Sequence, residues 1–233
     1  MGFRNYLFIF SIFKVYTLKR DQGEKDFFHF LDLLNQDDDA LDIGANIGIM
    51  STHLAKRIGQ STLHAFEPVP DNIHALERIT KFFKLKNLKL YKVALGHEKG
   101  EIEMVMPEID AVKKQGLSHV VHEDITEFNE GEKFTVPVLV LDDIEDLHTK
   151  NIQAIKIDVE NFEYYVFKGA QNLIKKNKPI IYCELWDNEN RYKCFDLLTS
   201  LSYQILVLEG SVLVPYNKEA HTTQNFFFLP AIQ

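Results

Sequence analysis

The segment 41–48, Leu-Asp-Ile-Gly-Ala-Asn-Ile-Gly, constrains the fold of this chain most strongly, because a short apolar run leads straight into a glycine turn and then a helical pattern. Glycine lets a backbone approach a ligand closely, and the first turn of a helix offers unpaired N–H groups. The spacing G-x-x-x-G is neither the dinucleotide fingerprint nor a P-loop, and no Lys-Ser or Lys-Thr follows Gly48. The segment therefore predicts a strand-turn-helix cradle for a nucleotide-like cofactor, with Asp42 at the end of the strand.

A second apolar run, 63–68, contains Glu67, which lies 19 residues after Gly48. In a βαβ unit this position is the tip of the second parallel strand, where a carboxylate can accept both hydroxyls of a ribose. No basic residue at that tip suits a 2′-phosphate, and the third glycine of a pyrophosphate site is absent. These features favour S-adenosylmethionine over NAD, because Asp42 and the turn carbonyls can accept its charged amino-acid end. An ordinary strand-turn-helix with an acidic strand end is the simpler alternative.

Length and charge limit the remaining possibilities. A chain of 233 residues suits one substantial α/β domain, and we expect residues 1–36 to form an N-terminal helical segment packed on a main domain of residues 37–233. The formal charge of −8 argues against a general nucleic-acid binder, because phosphate contacts need clustered Lys and Arg. Cys183 and Cys194 fall in a predicted strand and a predicted helix, which indicates buried thiols and favours a reducing, cytoplasmic compartment. The oligomeric state is left open.

Residues 6–13 form an almost unbroken apolar stretch that is too short to span a bilayer and ends at Lys14. One interpretation is a helix that lies across the main domain and packs on it at helical spacing through Phe8, Ile12, Val15 and Leu18. The other is weak peripheral membrane association through residues 6–20, with Lys14, Lys19 and Arg20 facing lipid headgroups. The first is favoured because the polar face is short and weakly charged.

Strands and helices alternate along the rest of the chain, which predicts a parallel sheet with helices on both faces. Predicted strands end near residues 43, 67 and 96 and cover 154–159, 179–185, 203–208 and 226–229, the last two as an antiparallel pair. Predicted helices cover 49–57, 71–84, 162–176 and 189–200, with Gly169 and Ala170 inside the third. Residues 102–140 read as a β-rich, antiparallel insertion.

Four carboxylates, those of Asp42, Glu67, Asp158 and Glu184, fall at or near the carboxyl ends of predicted parallel strands. Ligand crevices of such sheets lie at those ends, so the four side chains are expected to ring one site. Any one of them alone would more often cap the next helix.

Several segments, in order, resemble the FkbM-type S-adenosylmethionine-dependent methyltransferases. They are 41–48 (LDIGANIG), 66–70 (FEPVP), 94–96 (ALG), 141–143 (LDD), and 155–163 (IKIDVENFE) running on to 168–170 (KGA). The first motif alone indicates only a class I methyltransferase, and the Lys-Ile-Asp-Val-Glu segment is the most specific to the family.

The resemblance implies a Rossmann-like class I methyltransferase fold: an α/β domain with a mostly parallel seven-stranded sheet, a C-terminal antiparallel pair and a β-rich insertion before strand 4. It implies methyl transfer, usually to a hydroxyl on a sugar, polysaccharide or secondary metabolite. By position, the amino-acid end of S-adenosyl-L-methionine would be held by Asp42, Gly44, Asn46 and Gly48. Glu67 would take the ribose, while Pro68 and Ala94 would line the adenine side.

Methyl transfer to a hydroxyl needs a general base close to the methyl donor. Asp158 is the first candidate, Glu184 the second, and Glu160 or His119 the third. An alternative has Asp158, Glu160 and Glu184 binding a divalent metal that acidifies the hydroxyl. His119 and His122 as a metal pair are less plausible than exposed loop residues.

Asn161 departs from the family, which commonly has glycine there. Asparagine tolerates a left-handed backbone, but its side chain would occupy space beside the expected acceptor site. The acceptor pocket itself is expected from residues 107–133 and the N-terminal segment. Two other functions stay open: a non-catalytic S-adenosylmethionine-binding module in a glycan-assembly complex, and a NAD-dependent oxidoreductase.

Overall fold

A computed structural model describes residues 2–109, 112–113, 119–120 and 131–231. The strands are β1 (Asp39–Ile43), β2 (Leu63–Phe66), β3 (Leu88–Tyr91), β4 (Ala94–Gly96), β5 (Gly100–Ile109), β6 (Val112–Lys113), β7 (His119–Val120), β8 (Gly131–Val140), β9 (Ile152–Ile157), β10 (Ile180–Glu184), β11 (Tyr203–Glu209), β12 (Val212–Pro215) and β13 (Asn225–Pro230). The helices are α1 (Phe3–Thr17), α2 (Lys25–Asp32), α3 (Ile49–Arg57), α4 (Pro70–Phe82), α5 (Glu145–His148), α6 (Glu163–Lys168), α7 (Gln171–Asn177) and α8 (Glu189–Ser200).

The main sheet has the strand order β12-β11-β13-β10-β9-β1-β2-β3. Strands β3, β2, β1, β9 and β10 are parallel, and β13 inserts antiparallel between β10 and β11. The predicted mostly parallel sheet with an antiparallel C-terminal pair is therefore confirmed. The sheet has eight strands rather than seven, because residues 212–215 turn back at Gly210 and pair with β11 as an extra edge strand.

The insertion before β9 forms a second sheet, with the order β4-β8-β5-β6 and with β7 beside β5. The prediction of a β-rich insertion is confirmed, but residues 94–96 do not close the third strand of the main sheet as expected. They form β4, which pairs in parallel with β8 from Ala94 opposite Val138 to Gly96 opposite Val140. All three residues of β4 are buried, and pairing with β8 places them in the second sheet.

The helix expected over residues 162–176 is two helices, α6 and α7, which are separated at Gly169 and Ala170. A Cβ atom at position 169 would lie 2.1 Å from the carbonyl oxygen of Gly96, so β4 approaches the chain closely there. The new helix start is capped by Asp142, whose carboxylate accepts hydrogen bonds from the backbone N–H groups of Asn172 (2.9 Å) and Leu173 (2.8 Å). The family motif 141–143 thus has a structural role.

Helix α1 lies along α3 and α4. Its buried residues are Leu7, Ser11 and Val15, and Leu18 follows in the next turn. Val15 and Leu18 are buried as predicted, whereas Phe8 and Ile12 are only half-buried, because the inward stripe is shifted by one residue. No helix in the described part of the chain is long and apolar enough to cross a bilayer.

Candidate cofactor and acceptor site

The turn between β1 and α3 contains three residues with left-handed backbone: Gly44 (φ 78°), Asn46 (φ 50°) and Gly48 (φ 82°). A Cβ atom on Gly44 would lie 1.8 Å from the carbonyl oxygen of Asp158, so only glycine lets the turn pack against the end of β9. At Gly48 a Cβ atom would lie 2.3 Å from a methyl group of Leu76 in α4. Gly48 therefore serves helix packing, and it lines none of the recesses described below.

Asp42 lies beneath this turn and is fully buried. One carboxylate oxygen accepts a hydrogen bond from the Ser51 hydroxyl at 2.5 Å, and the other lies 3.5 Å from the ammonium group of Lys156. Asp42 does not line the cavities around the turn. In this structure it orients the turn and Lys156 from below, and direct contact with a cofactor stays a prediction.

Lys156 joins the turn to the end of β9. Its ammonium donates a hydrogen bond to the carbonyl of Gly44 at 3.1 Å and lies 3.8 Å from the carboxylate of Asp158. Burial alone would lower the pKa of Lys156, but the carboxylates of Asp42, Asp158 and Glu184 outweigh burial and raise the pKa above its ordinary value. Lys156 is therefore a fixed buried cation in a cluster of carboxylates.

A cleft of about 610 Å³ opens beside the turn, between the tips of β1, β2 and β9. Its walls include Gly44, Asn46, Glu67, Pro68, Asn72, Ala94, Asp158 and Glu160, together with apolar residues of the second sheet. Five of the seven residues that were predicted to bind the cofactor line this cleft. Asp42 and Gly48 are the two that do not.

Glu67 is buried at the floor of the cleft. Its carboxylate accepts hydrogen bonds from the backbone N–H of Asn46 (2.7 Å) and of Val69 (2.9 Å) and from the Asn72 side-chain amide (3.3 Å). Burial raises the pKa of Glu67 to about 7, although these three hydrogen bonds act in the opposite direction. Glu67 thus fixes the turn at Asn46 relative to the start of α4.

Asn72 supplies an unsatisfied group in the same cleft. Its side chain is 2% exposed, and its amide oxygen has no hydrogen-bond partner. Buried polar atoms normally find a partner, so this oxygen is suited to accept a hydrogen bond from a bound molecule. A glycine cradle, a strand-end carboxylate and a free amide oxygen around one cleft fit a nucleoside with a free ribose diol.

The segment after β9 is a tight turn in which Glu160 (φ 52°) and Asn161 (φ 75°) are left-handed. The carboxylate of Glu163 closes the turn by accepting a hydrogen bond from the backbone N–H of Val159 at 2.9 Å. Burial, reinforced by the nearby carboxylates of Asp158 and Glu184, raises the pKa of Glu160 well above its ordinary value. The turn thus concentrates carboxylates at the cleft.

Asn161 keeps the left-handed turn, as its residue type allows. Its side chain does not line the described cavities, and the expectation that it occupies space beside the acceptor stays a prediction. Its amide oxygen accepts a hydrogen bond from the side-chain amide of Asn188 at 2.8 Å, and its backbone carbonyl accepts one from Asn190 at 3.2 Å. Asn161 therefore ties the turn after β9 to the start of α8.

Two adjoining recesses, of about 700 and 720 Å³, lie on the other side of Gly44 and Asp158. Their walls include Phe10, Lys14, Leu18, Glu24, Met50, Lys156, Asp158, Tyr182, Glu184 and Asn225. We refer to them together as the N-terminal recess, because α1 and the segment after it close one side. Asp158 lines both the cleft and this recess, whereas Glu160 lines only the cleft and Glu184 only the recess.

The four strand-end carboxylates do not all face one space. Glu67 and Asp158 share the cleft, Asp158 and Glu184 share the N-terminal recess, and Asp42 lies beneath both. Burial and the neighbouring Asp158 raise the pKa of Glu184. Among the residues that the structure describes, no three His, Cys, Asp or Glu side chains are arranged to hold a metal ion.

His119 belongs to β7, which pairs with β5, and its neighbour Val120 lines the cleft. The side chain of His119 lies outside the described part of the structure, as do His122 and most of the stretch 107–130, so their predicted roles stay predictions. Cys183 and Cys194 are free, buried thiols, as predicted.

The sequence pattern predicts no site role for three residues, Lys156, Asn72 and Glu24. Lys156 falls within a family motif, and Asn72 falls within a predicted helix. Lys156 lies within the apolar run Ala-Ile-Lys-Ile of a predicted strand, and Lys is rarely buried without a partner. This position indicates a buried, charge-paired lysine. Nothing in the sequence around Glu24 marks it.

The fold is that of class I S-adenosylmethionine-dependent methyltransferases. The fold resembles the crystal structure of an S-adenosylmethionine-dependent O-methyltransferase from Thermotoga maritima, with 13% identity, a TM-score of 0.51, and coverage of 96% of this chain and 72% of that one. It also resembles the crystal structure of methyltransferase FkbM from Methylobacillus flagellatus KT, with 16% identity, a TM-score of 0.57 and coverage of 85% of this chain. The match spans only 45% of that FkbM chain.

The model of the methyltransferase FkbM domain family matches residues 42–205, and the chain belongs to this family. Among curated proteins, Methyltransferase 1 of Beauveria bassiana (strain ARSEF 2860) is 25% identical over 184 residues, and the match covers 69% of this chain and 73% of that protein. The resemblance noted from the sequence motifs is thereby confirmed.

Proposed function

We propose that this protein is an O-methyltransferase that uses S-adenosyl-L-methionine to methylate a hydroxyl of a sugar, polysaccharide or secondary metabolite. The observation that carries the proposal is the position of Asp158, which lines both the cleft and the N-terminal recess. A group at this boundary can act between a donor in the cleft and an acceptor in the recess.

In the cleft, Glu67 would accept hydrogen bonds from the ribose hydroxyls, and the free amide oxygen of Asn72 would accept a further one. Pro68 and Ala94 would contact the adenine side. The turn at Gly44 and Asn46 would hold the amino-acid end. When bound, the cofactor supplies a methyl group on a positively charged sulfur, and the surrounding carboxylates suit that charge.

In the recess, the acceptor hydroxyl would lose its proton as its oxygen bonds to the methyl carbon and the methyl–sulfur bond breaks, with S-adenosylhomocysteine as the leaving product. Asp158 would take that proton as general base. Lys156, 3.8 Å from the Asp158 carboxylate, would keep the base oriented. Glu24 and Glu184, with Asn225, would accept hydrogen bonds from further hydroxyls, which matches a polyhydroxylated acceptor.

Calorimetry with S-adenosylhomocysteine tests the cleft. We expect binding, and we expect Asn72→Ala to weaken it about tenfold through loss of one buried hydrogen bond. Thr80→Val is the matched control, since the Thr80 hydroxyl is also buried without a partner but does not line the cleft. Absence of binding by the unsubstituted protein would overturn the proposed function.

Turnover with a panel of sugars and polyols, followed by release of S-adenosylhomocysteine, tests the base. Asp158→Asn is expected to keep cofactor binding but lower kcat by at least about a hundredfold. Cofactor binding without turnover on any hydroxyl compound would favour the non-catalytic module. If Asp158→Asn is as active as the unsubstituted enzyme, Asp158 is not the base. Glu184 is then the next candidate, and Glu184→Gln tests it.

A further inference from the structure

Helix α1 exposes large apolar side chains along one side. Phe3, Tyr6, Ile9, Phe13 and Tyr16 are between 36% and 67% exposed. Their spacing of three or four residues places them on one side of the helix, which we call the α1 outer face. A contiguous exposed apolar patch, unlike a single exposed leucine, marks an interaction surface.

The side of α1 that packs on the domain is less apolar than the α1 outer face. Ser11 is fully buried, and its hydroxyl donates a hydrogen bond to the carbonyl of Leu7 at 2.7 Å. Packing of α1 on the domain uses Leu7, Ser11 and Val15, with Phe8 and Phe10 half-buried beside them, and leaves the α1 outer face largely in solvent. Tyr6 stacks on Phe10 and Tyr16 contacts Phe83, but every side chain of the α1 outer face stays at least 36% exposed.

The charge around the α1 outer face opposes that of the whole chain. Residues 1–20 contain four basic residues and no acidic one, although the chain carries a formal charge of −8. Arg4 and Lys14 pair with Asp71 and Asp21, while Lys19 and Arg20 are exposed at the end of the helix.

The C-terminal end of α4, which lies beside α1, also combines an exposed aromatic side chain with basic residues. Phe8 of α1 contacts Phe82, which is itself 49% exposed. Residues 78–92 contain six basic residues and no acidic one, and Lys81, Lys84 and Lys86 among them are exposed. Exposed aromatic side chains bordered by lysine and arginine match the interfacial region of an anionic membrane.

We propose that the α1 outer face docks on a membrane surface that carries anionic lipids, with α1 lying in the plane of the interface. The aromatic side chains enter the headgroup region, and Lys19, Arg20 and the lysines after α4 face the lipid charges. Phe10, which stacks on Tyr6 of this face, and Lys14 line the N-terminal recess, so docking brings that recess to the membrane. The proposal stands on the surface alone and does not depend on the reaction.

Flotation with vesicles tests this proposal. The full chain is expected to float with vesicles of phosphatidylcholine mixed with phosphatidylglycerol, to float less with phosphatidylcholine alone, and to be released by salt. The double variant Phe13→Ser/Tyr16→Ser should lower the partition coefficient about tenfold or more. Val212→Ser is the matched control, because Val212 is 61% exposed but lies on the edge strand β12.

A second variant keeps the test independent of the aromatic residues. Lys19→Glu/Arg20→Glu should lower partitioning to the anionic vesicles severalfold and leave the low partitioning to neutral ones unchanged. Circular dichroism checks that each variant is folded. The proposal is overturned if the full chain does not float with anionic vesicles, or if both double variants float as well as the control.

Analytical ultracentrifugation tests the alternative that a second copy of the chain covers this face. If the unsubstituted chain forms a dimer that Phe13→Ser/Tyr16→Ser dissociates, and it does not float with vesicles, the α1 outer face is an interface between two copies and the membrane proposal is wrong.

Discussion

The carbonyl oxygen of Asp158 lies where the side chain of residue 44 would begin: a Cβ atom on Gly44 would be 1.8 Å away. This contact brings the turn of the first strand against the end of β9. It sets Gly44, which lines the cleft, directly beside Asp158, the proposed base. The turn and the end of β9 can pack this closely only because residue 44 has no Cβ atom.

Gly44→Ala is expected to lower the free energy of unfolding by at least about 2 kcal/mol, because it combines a left-handed φ with a backbone clash. Urea denaturation measures the change. Gly100→Ala is the matched control, since a Cβ atom there meets nothing within 4 Å, and it should cost less than about 0.5 kcal/mol. Equal losses in the two variants would contradict the interpretation of the contact.

Lys156→Met should destabilise the protein by about 3 kcal/mol, because it leaves the fully buried Asp42 carboxylate without its cation. The double variant Asp42→Asn/Lys156→Met should lose clearly less than the sum of the single losses. A double-mutant cycle from urea denaturation measures the coupling. Additive losses would show that the two charges do not depend on each other.

The raised pKa of Glu67 predicts a pH dependence. The pKa rises from an ordinary 4.5 to about 7 in the folded state, so the folded protein binds this proton more tightly than the unfolded chain does. The contribution of Glu67 to stability is therefore full below about pH 4.5 and declines as pH rises towards 7, by at most about 3 kcal/mol.

Urea denaturation from pH 4.5 to 8 measures this effect as the difference in unfolding free energy between the unsubstituted protein and Glu67→Gln. That difference should fall with pH and level off above about 7. Glu219→Gln, at an exposed position, controls for the loss of one carboxyl group. A difference that rises with pH would contradict the assignment.

Asn161→Gly tests the turn after β9. Glycine keeps the left-handed backbone and the carbonyl that accepts from Asn190, but it loses the side-chain hydrogen bond to Asn188, so a loss of about 1 kcal/mol is expected. Asn161→Ala should cost about 1 kcal/mol more, since alanine also strains the φ of 75°. Denaturation of both variants separates the two effects, and equal losses would show that the backbone is not strained.

Where local signals agree, the sequence alone predicted the elements correctly. Helices were expected at 49–57 and 189–200, and α3 and α8 have those bounds. The first starts directly after the left-handed Gly48, and the second after Asn188, whose side chain caps the helix. Such boundaries depend on residues adjacent in the chain.

Errors arose where distant segments meet. The break between α6 and α7 requires the approach of Gly96 to Gly169, and the cap of α7 comes from Asp142. Which residues of α1 face inward depends on how the helix packs against α3 and α4. The apolar pattern of residues 6–13 therefore predicts an inward stripe that is shifted by one residue. Periodicity within a segment carries no information about such contacts.

The sequence by itself determined the class of fold, the glycine turn and the strand-end carboxylates, because strand-turn-helix geometry follows from local backbone preferences and from the order of elements. Only the tertiary structure decided which carboxylates share a space: Asp42 lies below the turn with Lys156, Glu67 in the cleft, Glu184 in the recess, and Asp158 between the two. Burial and charge pairing depend on packing in three dimensions, and linear spacing does not encode them.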